Sequence, residues 1–169
     1  NTLSDRVALH ILKKIDRNFQ RYTWLDRGSD ERQYCAPGID LPIATICRSL
    51  YGQYPEYHTS MDTLGGVVTS NGLMGGYNAL RMAIETLEMY CYPKCTILCE
   101  PRLGKRGLYP TITNAESYRK FKLVNDLLSL CDGKTDLLEI ADTLNVSAID
   151  LRDPLAILRE YNLIESIAR

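Results

Sequence analysis

Apolar residues recur at Leu3, Val7, Leu9, Ile11, Leu12 and Ile15, with Arg6, Lys13 and Lys14 interspersed, which is the spacing of one helix face. An amphipathic helix is predicted there, opening at Ser4-Asp5 with Ser4 as N-cap. After Asn18 the pattern shifts to Phe19, Tyr22, Trp24 and Leu25, a β-prone aromatic run that breaks at Asp26-Arg27-Gly28-Ser29 and predicts a strand entering a loop. Leu41 to Cys47 is apolar on both faces, the pattern of a buried strand. Residues 51–64, rich in Tyr, Pro, His and Gly, have no period and predict a long loop of the kind that carries function. Leu73, Leu80, Ile84, Leu87 and Tyr90 then mark a stripe on a helix starting near Asn71 and stopped by Pro93, with Gly75-Gly76 permitting close packing.

Alternation of helix and buried strand through residue 98 implies an α/β sandwich. Prolines and glycines between 99 and 113 forbid continuous helix and predict a connector. Three helices are predicted beyond it, at 118–130, 136–144 and 148–161, with turns at Asp132-Gly133-Lys134 and Asn145-Val146-Ser147 and a short extension from Leu163 to Ile167. This is a winged-helix arrangement, read as all-helical, with Leu137, Ile140, Leu144, Leu155, Leu158 and Leu163 as its core. The chain therefore divides into 1–98, a connector at 99–113, and a winged-helix domain at 114–169.

Composition narrows the partners. A chain of 169 residues with formal net charge -1 has no global basic field for nucleic acid or an anionic membrane. From Ile112 onward acids outnumber Arg and Lys, and the expected recognition helix carries Asp150, Asp153 and Glu160, so the winged helix is expected to pack or bind a protein partner rather than DNA. No apolar run approaches the roughly 20 residues of a membrane helix. The terminus Asn1-Thr2-Leu3-Ser4 has no initiator methionine and no signal pattern, and reads as the edge of a longer chain. Cys35, Cys47, Cys91, Cys95, Cys99 and Cys131 are scattered, favouring reduced thiols and a cytoplasmic location. The even spacing of Cys91, Cys95 and Cys99 lacks the paired knuckles of structural zinc, so these thiols are expected to act as small buried hydrophobes. A homo-oligomer is left open.

Candidate chemistry lies in two loops. On residues alone, His58 is either an ordinary loop histidine or a nitrogen donor for a metal, and Asp30 is either half of a turn-forming Ser-Asp pair or a site carboxylate. Glu56-Tyr57-His58-Thr59-Ser60-Met61-Asp62-Thr63 resembles the closing motif of the zinc aminopeptidases related to bacterial leucyl aminopeptidase, glutamate carboxypeptidase and glutaminyl cyclase. Gly28-Ser29-Asp30-Glu31-Arg32-Gln33-Tyr34 resembles that family's Ser-Asp-His segment, followed by Gly38-x-x-x-Pro42. With the Glu100 to Pro110 segment, these stretches resemble a bacterial subgroup with a carboxy-terminal winged helix, some of whose members accompany polysaccharide-biosynthesis genes.

The resemblance implies a three-layer α/β/α domain of which residues 1–98 are the last part. It makes His58 a ligand to one of two zinc ions, with Thr59, Ser60 and Asp62 bracing the loop. Asp30 and Glu31 become the candidate catalytic residues, Asp30 as the carboxylate beside the metal and Glu31 where relatives mostly have histidine. Arg32 and Tyr57 are taken as candidate substrate contacts, and so, on their chemistry alone, are Lys105 and Arg106, which could hold a substrate carboxylate or phosphate or equally be a solvated basic linker. The remaining ligands and the general base are expected upstream, since His10 sits inside an amphipathic helix. The implied function is the carboxy-terminal part of a zinc-dependent peptidase or amidase acting on a peptide or amide, inactive alone. The alternative is a protein-interaction module with a vestigial metal centre.

Overall fold

Thr2 rather than Ser4 starts the first helix. In the computed structural model, which describes residues 2–108 and 114–167, α1 spans Leu3–Ile15. Its start is closed reciprocally: the Asp5 N–H donates to Thr2 Oγ1 at 3.3 Å and the Thr2 N–H donates to Asp5 Oδ2 at 2.8 Å. The Ser4 hydroxyl instead donates to the Pro42 carbonyl. Val7, Ala8, His10 and Ile11 form the buried face.

Neither strand expected in the following stretch forms. Around Trp24, Thr23 and Asp26 cap one another across a 3-10 turn, Trp24–Asp26, and the Arg27 guanidinium lies 4.7 Å over the indole ring. From Leu41 to Cys47 the chain is irregular and mostly exposed. Its backbone bonds are local, from Leu41 N–H to the Tyr34 carbonyl and from Ile43 N–H to the Leu41 carbonyl, both 2.8 Å. A strand needs a neighbour for its N–H and C=O groups, and no described segment here supplies one. Among the described residues, α2, Glu31–Tyr34, is the one α-helix between α1 and the 20-residue α3, Ser70–Met89, which starts and ends close to where its apolar period predicts. The described residues divide into two compact units between Glu85 and Thr86.

The second unit carries a sheet that the helical reading omitted. Strand β1, Tyr92–Cys95, runs antiparallel to β2, Ile164–Ile167, pairing Tyr92 with Ile167 and Cys95 with Ile164. Those strands make the winged-helix part helical with a small sheet, and they take in residues before the connector that composition singles out at 99–113. The last five residues of that connector, 109–113, lie outside the described residues, as does Arg169.

Three helices complete the unit, each opened by a side-chain cap or a turn. Asn114 caps α4, Ala115–Ser129, and Asp136 caps α5, Leu137–Thr143. A 3-10 turn, Ala148–Leu151, at whose start the Ser147 N–H donates to Asp150 Oδ2 at 2.9 Å, leads into α6, Arg152–Glu160, whose Pro154 sits in the first turn where a missing N–H costs little. Helix α4 packs on α6, and Leu127, Leu137, Ile140, Leu151, Leu155, Leu158 and Leu163 are fully buried, with Leu144 half-buried.

At the Asp132-Gly133 turn, a left-handed φ of 75° and a Cβ position 3.0 Å from Lys94 Cβ admit only glycine. Gly133→Ala is expected to cost about 1–3 kcal/mol, read as a lowered melting temperature of this unit.

Candidate functional site

His58 occupies a left-handed backbone position, φ 56°, in the long loop. Left-handed geometry costs a non-glycine residue about 1–2 kcal/mol, so the loop must hold it there. Thr59 supplies two of the holds: its N–H and hydroxyl both donate to the Glu56 carbonyl, at 3.0 and 2.8 Å. The Met61 N–H donates to Thr59 Oγ1 at 3.2 Å, and the Tyr54 hydroxyl donates to Asp62 Oδ2 at 3.4 Å. Thr59 and Asp62 thus brace the loop.

The His58 imidazole is exposed and lies parallel to the Tyr57 ring, with centroids 4.0 Å apart and an interplanar angle of 13°. Tyr54 meets Tyr57 edge-on at 5.5 Å. Stacking covers one face of the imidazole and restrains its rotation, but leaves the ring edge open. A metal binds in the ring plane at a nitrogen lone pair, so this arrangement presents a donor without blocking it. No hydrogen bond engages either nitrogen among the described residues.

The second loop is organised around Glu31. Its carboxylate accepts from the Gly28 N–H at 2.7 Å, the Ser29 N–H at 3.0 Å and the Tyr51 hydroxyl at 3.2 Å. Partial burial opposes ionisation, yet the backbone N–H groups of Ser29, Gly28 and Glu31 itself, with the Tyr51 hydroxyl, outweigh it and hold the carboxyl below its usual range. Burial and the Glu31 carboxylate in turn push the Tyr51 phenol upward. Sequence reasoning missed Tyr51, since a contact across 20 positions leaves no local signal. Gly28 is required by the same cluster, because a Cβ there would meet the Tyr51 ring at 2.5 Å. Asp30 is exposed and opens α2 without a capping hydrogen bond, leaving its carboxylate uncommitted among the described residues. Arg32 is exposed, with Nε donating to the Ser29 carbonyl at 3.3 Å.

Lys105 and Arg106 belong to the other unit, in a 3-10 turn, Leu103–Arg106. Beside it is an open cavity of about 360 Å³ lined by Glu100, Arg102, Phe121 and Asn125 among others, but not by Lys105 or Arg106. The Glu100 carboxylate and the unpaired buried Asn125 Oδ1 on its wall oppose an anion there.

The cysteines separate by environment. Cys91 and Cys131 are buried and Cys95 half-buried, whereas Cys99 is exposed at a left-handed backbone position, contrary to its expected burial. Burial, with the neighbouring Cys95, Cys91 and Asp132, pushes the Cys131 thiol up to about 12. Burial and the raised pKa both keep Cys131 from reacting as a thiolate, so iodoacetamide on the native protein is expected to label Cys99 and spare Cys131. Peptide mapping after brief alkylation checks this.

Among the described residues no group of three or more His, Cys, Asp or Glu side chains is arranged to hold a metal. Catalytic zinc takes three protein donors, so His58 alone does not make a zinc site, and any ion it serves must be completed by other groups.

Comparison with known proteins places the two regions separately. Residues 91–166 match the winged helix-turn-helix family, and residues 1–90, more than half of the chain, match a family described as a domain of unknown function, DUF4910. The chain belongs to the DUF4910 family. Both candidate loops fall inside the DUF4910 region, and β1 and β2 fall inside the winged-helix region. A Clostridium acetobutylicum protein named "Putative polysaccharide biosynthesis protein with aminopeptidase-like domain" is 36% identical over 140 residues, covering 81% of this chain and 32% of that protein. A crystal structure of a "putative peptidase" from the same organism matches with a TM-score of 0.75 at 28% identity, covering 99% of this chain and 36% of that one. The chain thus spans about a third of the length of each relative.

Proposed function

We propose that the DUF4910 region is the carboxy-terminal part of a three-layer α/β/α zinc-dependent hydrolase of the aminopeptidase or amidase type, contributing His58 as one ligand of a two-zinc centre. The observation that carries this reading is the His58 ring: exposed, restrained against Tyr57, with uncommitted in-plane nitrogens, on a loop that tolerates left-handed strain to present it. The aminopeptidase-like name of the Clostridium acetobutylicum relative supports it. Asp30 is the carboxylate available beside the metal. Glu31, whose oxygens are engaged by Gly28, Ser29 and Tyr51, shapes that loop rather than moving a proton. Arg32 and Tyr57 contact the peptide or amide substrate, while Lys105 and Arg106 stay in solvent.

The winged helix is a packing or protein-binding appendage that binds no nucleic acid. Asp153 and Glu160 on α6 oppose phosphates, and the Arg159 guanidinium is engaged by Ser166 Oγ at 2.9 Å. No helix among the described residues is long and apolar enough to cross a membrane. A non-enzymatic interaction module is the second reading, favoured by the engagement of Glu31 within its own loop.

Zinc content and hydrolysis of aminoacyl p-nitroanilides test the proposal. The 169-residue chain alone is expected to be inactive, and a polypeptide of the relatives' length to hydrolyse the substrates and lose activity to a chelator. A zinc-free, inactive polypeptide of that length would leave only the interaction module.

A further inference from the structure

The cavity of about 360 Å³ in the second unit lies between the Leu103–Arg106 turn and α4, and no residue of either candidate loop lines it. That volume is within the roughly 300–1,000 Å³ of small-molecule sites. Pro101 and Leu103, both buried, and the half-buried Phe121 give it apolar walls. Glu100, Arg102 and Asn125 add polar groups, and each of these is short of a partner. Glu100 and Arg102 carry opposite charges two positions apart, yet no ion pair joins them, and among the described residues no hydrogen bond or ion pair engages either side chain. Asn125 Oδ1 is buried with nothing donating to it, a costly state for a carbonyl oxygen.

These groups select against simple ions. A lone anion in the cavity faces the Glu100 carboxylate, and a lone cation faces the Arg102 guanidinium. A molecule carrying an ammonium and a carboxylate together answers both charges, and an apolar portion answers the walls. We infer that this cavity binds a free α-amino acid with an apolar side chain. Its carboxylate accepts from the Arg102 guanidinium, and its ammonium donates to the Glu100 carboxylate. The ammonium also meets Asn125 Oδ1, which a turn of the side-chain amide brings to the cavity. The side chain of the ligand lies against Leu103 and Phe121. The site does not rest on the metal centre, since the residues lining it all fall in the winged-helix region and none in the DUF4910 region. It gives the winged helix a small-molecule ligand of its own.

Nitrogen-15 NMR titrations of the 169-residue chain with L-leucine, L-leucinamide and 4-methylpentanoate test the inference, the last two being leucine without its carboxylate and without its ammonium. L-Leucine is expected to shift the Gly104 and Phe121 amides and the Asn125 side-chain amide saturably, and each half-ligand to bind at least ~10-fold more weakly. Glu100→Gln should weaken L-leucine and L-leucinamide by a similar factor and leave 4-methylpentanoate no weaker. Arg102→Gln should weaken L-leucine and 4-methylpentanoate and spare L-leucinamide. Both side chains are exposed, so neither change should alter the melting temperature. No shift of the cavity signals with L-leucine near its solubility limit overturns the inference. So does tighter binding of 4-methylpentanoate or inorganic phosphate than of L-leucine, or an equal response of the two variants to all three ligands.

Discussion

Replacing His58 with asparagine is expected to weaken zinc binding by the longer protein at least ~100-fold, the scale on which even indirect supports of a metal site act. Asparagine suits this test because its short side chain tolerates the left-handed backbone that residue 58 adopts, φ 56°, better than alanine does. The imidazole is exposed and contributes only its stack on Tyr57, so circular dichroism and melting of the 169-residue chain should change little. Isothermal titration with zinc in a competing chelator separates the two effects. Tyr57→Leu should weaken binding less, by freeing the ring rather than removing the donor.

Leu158→Ala is expected to produce the largest loss of stability. Leu158 is 0% exposed in the core that α4, α5 and α6 share, and truncating such a leucine costs about 2–5 kcal/mol through lost transfer energy plus the cavity left behind. For a unit of this size that lowers the melting temperature by roughly 10–30 °C, close to unfolding it at room temperature if its total stability is near the lower end for domains. Leu80→Ala is the contrast. Leu80 is 53% exposed, so in this chain the change should stay within about 0.5 kcal/mol despite identical chemistry. Paired melts followed by far-ultraviolet dichroism check both.

The same contrast explains what could be read from sequence. Helices α3, α5 and α6 are specified locally, by a 3.6-residue apolar period and by caps such as Asp136, so they stand where the pattern predicts. The core residues of the winged helix follow from that period. Strands are another matter, since their hydrogen bonds are made by residues far along the chain. Leu41 to Cys47 has strand composition but no partner here, whereas Tyr92–Cys95, only four residues with a proline, becomes a strand because Ile164–Ile167 lies alongside it. In the candidate site, the family resemblance singles out Asp30, Glu31 and His58; the structure fixes Glu31 by hydrogen bonds and His58 by its ring stack, while Asp30 is exposed. The clamp of Glu31 by Tyr51 and the stack of His58 on Tyr57 depend on folded geometry and have no sequence signature.

Everything functional in this account turns on His58 as a metal donor, and anomalous scattering at the zinc edge from crystals of the longer polypeptide tests that most directly. A zinc peak is expected in the imidazole plane about 2.0–2.1 Å from one ring nitrogen, with the ring still stacked on Tyr57. A zinc ion fully coordinated elsewhere, with both His58 nitrogens in solvent, would contradict it.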